Sequence, residues 1–280
     1  MCEFCAKHGD GGKWYLQAKN YSEDLAADMR RRRATARWLE NAEVGLARTA
    51  DLLDGMFAGL PSPIRAIAAS VISSRQKVNH FGQVVPIEDI EQILGMMNSI
   101  VRLPCVCRRA MRGRDVDYCI GISMSPNGGL ATELVDQSYW GGPDTGGMER
   151  LNLDDAVSFV RELDAKGAIH TIWTFQTPFI AAICNCDRTD CLAMRSTVTH
   201  GIRTMFKAEY VATIDSERCS GCRQCLGLCQ FGALEYSLAN RNASVDQGKC
   251  FGCGLCRVEC RRAAISLVER SSIPRLARKW

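Results

Sequence analysis

The chain has 280 residues, 46% of them hydrophobic and 24% charged, so it can build a packed core without covalent cross-links, and its length suits two or three domains. Its sixteen cysteines therefore call for a chemical explanation. No apolar run approaches the roughly 20 residues of a membrane span and no basic, apolar leader follows Met1, so a reducing, cytoplasmic location is expected, where clustered thiols bind metal rather than pair as disulfides.

Taken in chain order, the first feature is Cys2, Cys5 and His8, a C-x2-C-x2-H set offering three donors to a soft or borderline ion. The competing reading is an unligated tail, and no fourth ligand can be named. Ser22 opens a helical stretch over 22–58, one long helix or two collinear ones, with Glu23 and Asp24 in the first turn. Within it Leu25, Met29, Ala36, Leu39, Leu46, Ala50, Leu53 and Phe57 follow the 4–3 spacing of a packed seam that Arg32 and Glu43 interrupt. Arg30 to Arg33 go all round a helix without interleaved aromatics, which reads as a solvated face before a docking patch. Further helices start at Ser62-Pro63 and at Pro86, the second with Ile87, Ile90, Leu94 and Met97 as its buried stripe. No recognition helix stands out among them, which argues against a nucleic-acid partner.

The middle of the chain carries two similar segments. SIVRLPCVC, with Cys105 and Cys107, is followed by Cys119; FIAAICNC, with Cys184 and Cys186, is followed by Cys191. Each reads as an apolar strand running into C-x-C, which presents two thiols to one side of an extended backbone. Two such ends side by side would make a four-thiolate site. A further Fe–S cluster, another metal such as zinc, a thiol redox site and inert buried cysteines are the alternatives. Around them DYCIGISMS, AIHTIWTF and FIAAIC read as strands, and LNLDDAVSFVRELDAKG reads as a helix closed by Gly167. His170 is expected to be a hydrogen-bonded core histidine. The glycine-rich YWGGPDTGGME, 139–149, fits neither a P-loop nor a dinucleotide fingerprint and reads as a mobile cover.

The carboxyl-terminal part is an internal repeat. Cys219, Cys222, Cys225 and Cys229 recur 31 positions on as Cys250, Cys253, Cys256 and Cys260, with ATID and ALEY around the first set aligning with ASVD and AISL around the second. A C-x2-C-x2-C loop can wrap three thiolates round one iron–sulfur cube, the fourth coming from elsewhere. Residues 208–270 resemble a bacterial-type 2[4Fe–4S] ferredoxin domain. By that pattern Cys219, Cys222, Cys225 and Cys260 hold one cluster, and Cys250, Cys253, Cys256 and Cys229 hold the other. Zinc-only binding is the alternative. One departure is plain: Gln230 and Arg261 stand where the family has a proline after the fourth cysteine. Two oxidised cubes would contribute about −4 against the formal +4, which removes bulk charge as an argument for nucleic acid.

The reading is an α+β protein with a helical region at 1–100, a cysteine-rich α/β domain at 101–206, and a ferredoxin domain of pseudo-twofold repeat with a basic tail at 207–280. The whole arrangement resembles ferredoxin-domain redox proteins of anaerobic metabolism. It implies electron transfer through two [4Fe–4S] clusters to or from a central cysteine site or a redox partner enzyme. An oxidoreductase with a catalytic centre in the central domain is the rival, and a redox-responsive regulator the third reading. Oligomeric state, donor and acceptor are not legible.

Overall fold

The computed structural model describes residues 2–113, 118–126, 129 and 148–277; most of the glycine-rich 139–149 segment lies outside them. After α1 (Glu3–His8), Ser22 caps α2 (Glu23–Ala27) by accepting the Leu25 N–H. Asp28 then caps α3 (Met29–Glu40) through the Arg31 N–H at 2.8 Å, and α4 (Ala42–Leu52) follows Asn41. The one or two collinear helices expected over 22–58 are thus three, because the Asp28 carboxylate satisfies a backbone donor and starts a new first turn. The break exposes Met29, while Ala50, Leu53 and Phe57 keep the seam's buried places. Arg31 leaves the solvated face expected of it: it is buried and donates from Nε to the Phe175 carbonyl at 3.0 Å and from Nη2 to the Gln176 carbonyl at 3.2 Å. Helix α5 (Ser62–Asn79) has proline in its first turn, and α6 (Ile87–Gly95) buries Ile90, Ile93 and Leu94.

Seven strands form one sheet: β1 (Gly82–Val84), β2 (Ser99–Leu103), β3 (Cys119–Ser123), β4 (Glu149–Leu151), β5 (Ile169–Thr174), β6 (Ile180–Cys186) and β7 (Met205–Phe206). Their order is β4-β2-β3-β6-β5-β1-β7, antiparallel throughout except between β1 and β7. β1 comes from the stretch expected to be helical; GQV is too short to show a period of two, and pairing with Thr171–Trp173 makes it a strand. Between the strands lie α7 (Val106–Arg112), α8 (Leu153–Ala165) and α9 (Leu192–Val198).

Alternation along the strands gives the sheet two different faces. Ile120, Ile122, Ile172 and Ile183 pack against Ile90 and Leu94 of α6, Ala156 and Val160 of α8, and the amino-terminal Phe4 and Trp14. Trp173, Ala182, Cys184 and Cys186 point to the other side.

The last part of the chain contains β8 (Tyr210–Ile214), α10 (Gln224–Leu228), β9 (Leu234–Ser237), β10 (Asn242–Val245) and β11 (Ile265–Glu269). The strands pair crosswise: β8 with β11, and β9 with β10. This part is fixed to the rest by the buried Asp89 of α6, whose carboxylate accepts from the Tyr15 hydroxyl at 2.8 Å and the Tyr210 hydroxyl at 3.0 Å and pairs with Lys13 at 3.2 Å. Arg257 adds a two-pronged pair with Glu88, at 2.6 and 3.0 Å. No helix of the described residues is long and apolar enough to cross a membrane.

Candidate metal centres

In the sheet, Cys119 of β3 lies directly opposite Cys184 of β6. Paired residues of neighbouring strands share a face, and the two Sγ atoms are 3.7 Å apart. Cys186, two places along β6, shares that face, and Cys191, the N-cap residue of α9, brings its Sγ to 3.4 Å from it. The CVC segment differs from expectation. Pro104 cannot donate to a ladder, β2 ends at Leu103, and Cys105 and Cys107 sit at the N-cap and in the first turn of α7. They nevertheless reach the same place, Cys105 interacting with Cys119 and Cys107 with Cys191. All six thiols line one cavity of about 610 Å³.

These thiols share their charge unequally. Hydrogen bonds with Cys107 and Cys186, together with the backbone N–H groups of Met194 and Ala193, hold Cys191 well below the ordinary thiol value. The same bonds to Cys191, and then burial, push Cys107 and Cys186 well above it. Arg108, itself buried, faces Cys105 at 3.4 Å and donates to the Asn185 carbonyl at 3.2 Å while pairing with Asp187. A guanidinium placed there favours an anionic assembly on the thiols. Asn185, between the two β6 cysteines, donates to the Tyr118 carbonyl and accepts from His170 Nδ1, both at 2.6 Å. His170 is therefore the core histidine expected, steadying the thiol-bearing strand.

The amino-terminal group changes composition. Among the described residues, Cys2, Cys5 and Glu209 are the one set of three metal-ligating side chains whose donor atoms all lie within 4.8 Å of each other, and all three are buried. Cys5 Sγ donates to Glu209 Oε1 at 2.8 Å, and Cys2 Sγ accepts the Cys5 N–H at 2.9 Å. Burial raises the Glu209 carboxyl, against the lowering effect of its two thiol partners. His8, expected as third donor, stays outside this group, in the last turn of α1; burial and then Lys19 and Lys7 depress its pKa. Glu209 precedes β8, and nothing near it in the chain marks it as a partner of residues 2 and 5.

At the carboxyl end the crosswise strands bring the cysteines of the two loops together. The thiols acting on Cys225 are Cys222, Cys219 and Cys260; those acting on Cys253 are Cys256, Cys250 and Cys229. Backbone N–H groups point at sulfur: Ala233 to Cys229 at 3.2 Å, Ala264 to Cys260 at 3.3 Å and Ala212 to Cys250 at 3.4 Å. Gly221 and Gly252 have positive φ, and a Cβ on them would collide with the backbone carbonyls of Arg241 and Tyr210, so both loops fold as closely as glycine permits.

Residues 212–235 match the 4Fe-4S binding domain family. No curated protein matches the chain. The match gives this segment an iron–sulfur, electron-transfer chemistry, and its residues suit that cofactor: the Cys225 thiol, raised by burial, needs the positive charge of iron to ionise, and an N–H donor such as that of Ala233 to Cys229 would stabilise an anionic cluster. The matched segment and the loop of Cys253 pack in the same cluster as the central thiols. Cys229, Cys253 and the stacked pair Phe231 and Phe251, 3.9 Å between ring centres, share one hydrophobic cluster with Trp173, Met194, Cys184, Cys186 and Cys191.

Proposed function

We propose that the chain is an iron–sulfur electron-transfer protein whose 4Fe-4S domain is a pseudo-twofold repeat carrying two [4Fe–4S] clusters. Cys219, Cys222, Cys225 and Cys260 hold the first, and Cys250, Cys253, Cys256 and Cys229 hold the second. The six central thiols, Cys105, Cys107, Cys119, Cys184, Cys186 and Cys191, carry a further metal or Fe–S centre, and electrons pass between it and the second cluster. When bound, the clusters supply one-electron carriers of low potential; the chain orients them, keeps water from them and tunes them through N–H donors and buried charge.

The observation that carries this reading is the hydrophobic cluster common to Cys229, Cys253 and the central Cys184, Cys186 and Cys191. It supports setting the second group of cysteines, rather than the first, beside the central thiols. In the first set Cys222 is exposed, and the exposed Arg218, Arg223, Arg241, Arg261 and Arg262 outnumber the exposed Asp215, Glu217 and Glu259 in the neighbouring chain. Such a surface suits an acidic redox protein as the exchange partner. The central thiols meet as close pairs, Cys119 with Cys184 at 3.7 Å and Cys186 with Cys191 at 3.4 Å, which suits a single further metal as well as a cluster. The cavity beside them favours a second reading, in which the central centre acts on a substrate. A single ion on Cys2, Cys5 and Glu209 would have three buried protein donors, the first-row preference for sulfur and carboxylate fitting zinc.

Iron and acid-labile sulfide in anaerobically purified protein test the main reading. About twelve irons per chain are expected for three cubanes, and about eight would remove the central cluster. The variant Cys105→Ala/Cys184→Ala is expected to fall to about eight while keeping the EPR of the two interacting clusters; an unchanged iron content would exclude an iron centre there.

A further inference from the structure

The cavity lined by the six central thiols extends well beyond them. Its opposite wall comes from α3, α4 and α5, and includes Trp38, Leu46 and His80, with Trp173 and Phe175 between the two sides. Four rings gather there: His80 lies 4.7 Å from Trp38, 4.9 Å from Trp173 and 4.9 Å from Phe175, centre to centre. A volume of about 610 Å³ is in the range of small-molecule sites, which are largely apolar with a few placed polar groups.

Those polar groups can be read. His80 Nδ1 is 2.6 Å from the Thr174 carbonyl; a carbonyl only accepts, so Nδ1 carries the proton and Nε2 keeps the lone pair. Burial pushes His80 down to about 4, which leaves the ring neutral near pH 7. No carboxylate is among the described residues that line the cavity. Of its two arginines, Arg108 is paired with Asp187 and Arg37 is exposed. The aromatic end of the interior therefore offers stacking surface and an acceptor without a carboxylate, the low-pKa thiol of Cys191 lying at the opposite end.

We propose that this cavity is a binding chamber for a small neutral molecule with a flat, unsaturated or aromatic body and one hydrogen-bond donor, seated between the aromatic wall and the central thiols. Naming that molecule a substrate rests on the reading of the thiols as a redox centre; its binding does not. Gly45 of α4 supplies a clean way to close the chamber. It is exposed and lines the cavity, and a Cβ added to it meets nothing within 4 Å, so a larger side chain can start there without displacing a neighbour.

The test uses 4-fluorophenol as probe, with 4-fluoroanisole lacking the donor and 4-fluorobenzoate carrying a charge, titrated into the anaerobic holoprotein by fluorine NMR with iron content measured in parallel. Saturable binding of 4-fluorophenol is expected, about tenfold tighter than either analogue, and Gly45→Phe is expected to weaken it by about tenfold or more with unchanged iron. Gly45→Leu, a smaller filling, should give an intermediate loss and serves if the phenylalanine variant does not fold. In His80→Phe the preference for phenol over anisole should vanish. Absence of saturable binding, tightest binding of the benzoate, or indifference to both Gly45 variants would overturn the proposal. A central site without iron but with intact 4-fluorophenol binding would instead remove the redox reading and leave the chamber standing.

Discussion

Gln230 accepts the backbone N–H of Arg188 at 2.6 Å and, through its amide nitrogen, donates to the Gly167 carbonyl at 2.6 Å. Arg188 belongs to the loop between Cys186 and Cys191, and Gln230 directly follows Cys229. The residue that departs from the ferredoxin pattern thus clips the 4Fe-4S domain to the central thiols, a contact that a proline could not make.

Replacing it should loosen that clip. Gln230→Ala removes both bonds and is expected to cost about 1–3 kcal/mol, with the iron of the 4Fe-4S domain retained. Electron equilibration between that domain and the central site should slow, as read by freeze-quench EPR after a sub-stoichiometric pulse of reductant. An unchanged rate together with unchanged stability would deny Gln230 any part in docking.

The crosswise grouping of thiols makes an asymmetric prediction. Cys260→Ala should damage the cluster built on Cys219, Cys222 and Cys225, and Cys229→Ala the one on Cys250, Cys253 and Cys256. Each variant should show the spectrum of an incompletely ligated cluster beside one intact cubane. Because Cys229 sits in the hydrophobic cluster with Cys186 and Cys191, only Cys229→Ala is expected to isolate the central site from a small-molecule reductant able to enter at either cluster. Equal isolation by both variants would contradict the order of centres.

At the amino end, the compact Cys2, Cys5 and Glu209 group predicts about one tightly held zinc per chain, measured by elemental analysis after chelator washing. Glu209→Gln keeps the side chain's size and should release the metal, as should Cys5→Ser, whereas His8→Ala should not. Retention by Glu209→Gln would leave the carboxylate as no more than the hydrogen-bond acceptor of the Cys5 thiol.

Acid should weaken the fold through His80. Its folded pKa of about 4 lies below the unfolded value, so between the two the unfolded chain binds more protons. Its contribution is complete above the unfolded pKa of about 6.5 and falls as pH drops towards 4, by at most about 3 kcal/mol, less to the extent that the ring is solvated. Denaturant unfolding at pH 7.5 and 5.5 should show a smaller acid loss in His80→Phe than in the parent chain. Equal losses would mean that the ring is not buried neutral.

What the sequence determined by itself was local. The loop of Cys219, Cys222 and Cys225 reads as three ligands because one short loop can wrap them, and the resemblance to the dicluster ferredoxin pattern implies Cys260 as the fourth. Pro63 and Pro86 mark helix starts because a first turn has no use for the missing N–H, and the i, i+2 rule placed Cys184 and Cys186 together on β6. The tertiary structure decided everything that depends on which strands meet. Cys119 faces Cys184 through the β3–β6 register, while Cys105 and Cys107 arrive by a helix start where an extended strand was expected. Glu209, 204 positions along the chain from Cys5, meets it because distant segments fold back together. Spacing encodes contacts that a short segment can make alone; contacts between distant segments follow from the packing of buried faces, which no local pattern records.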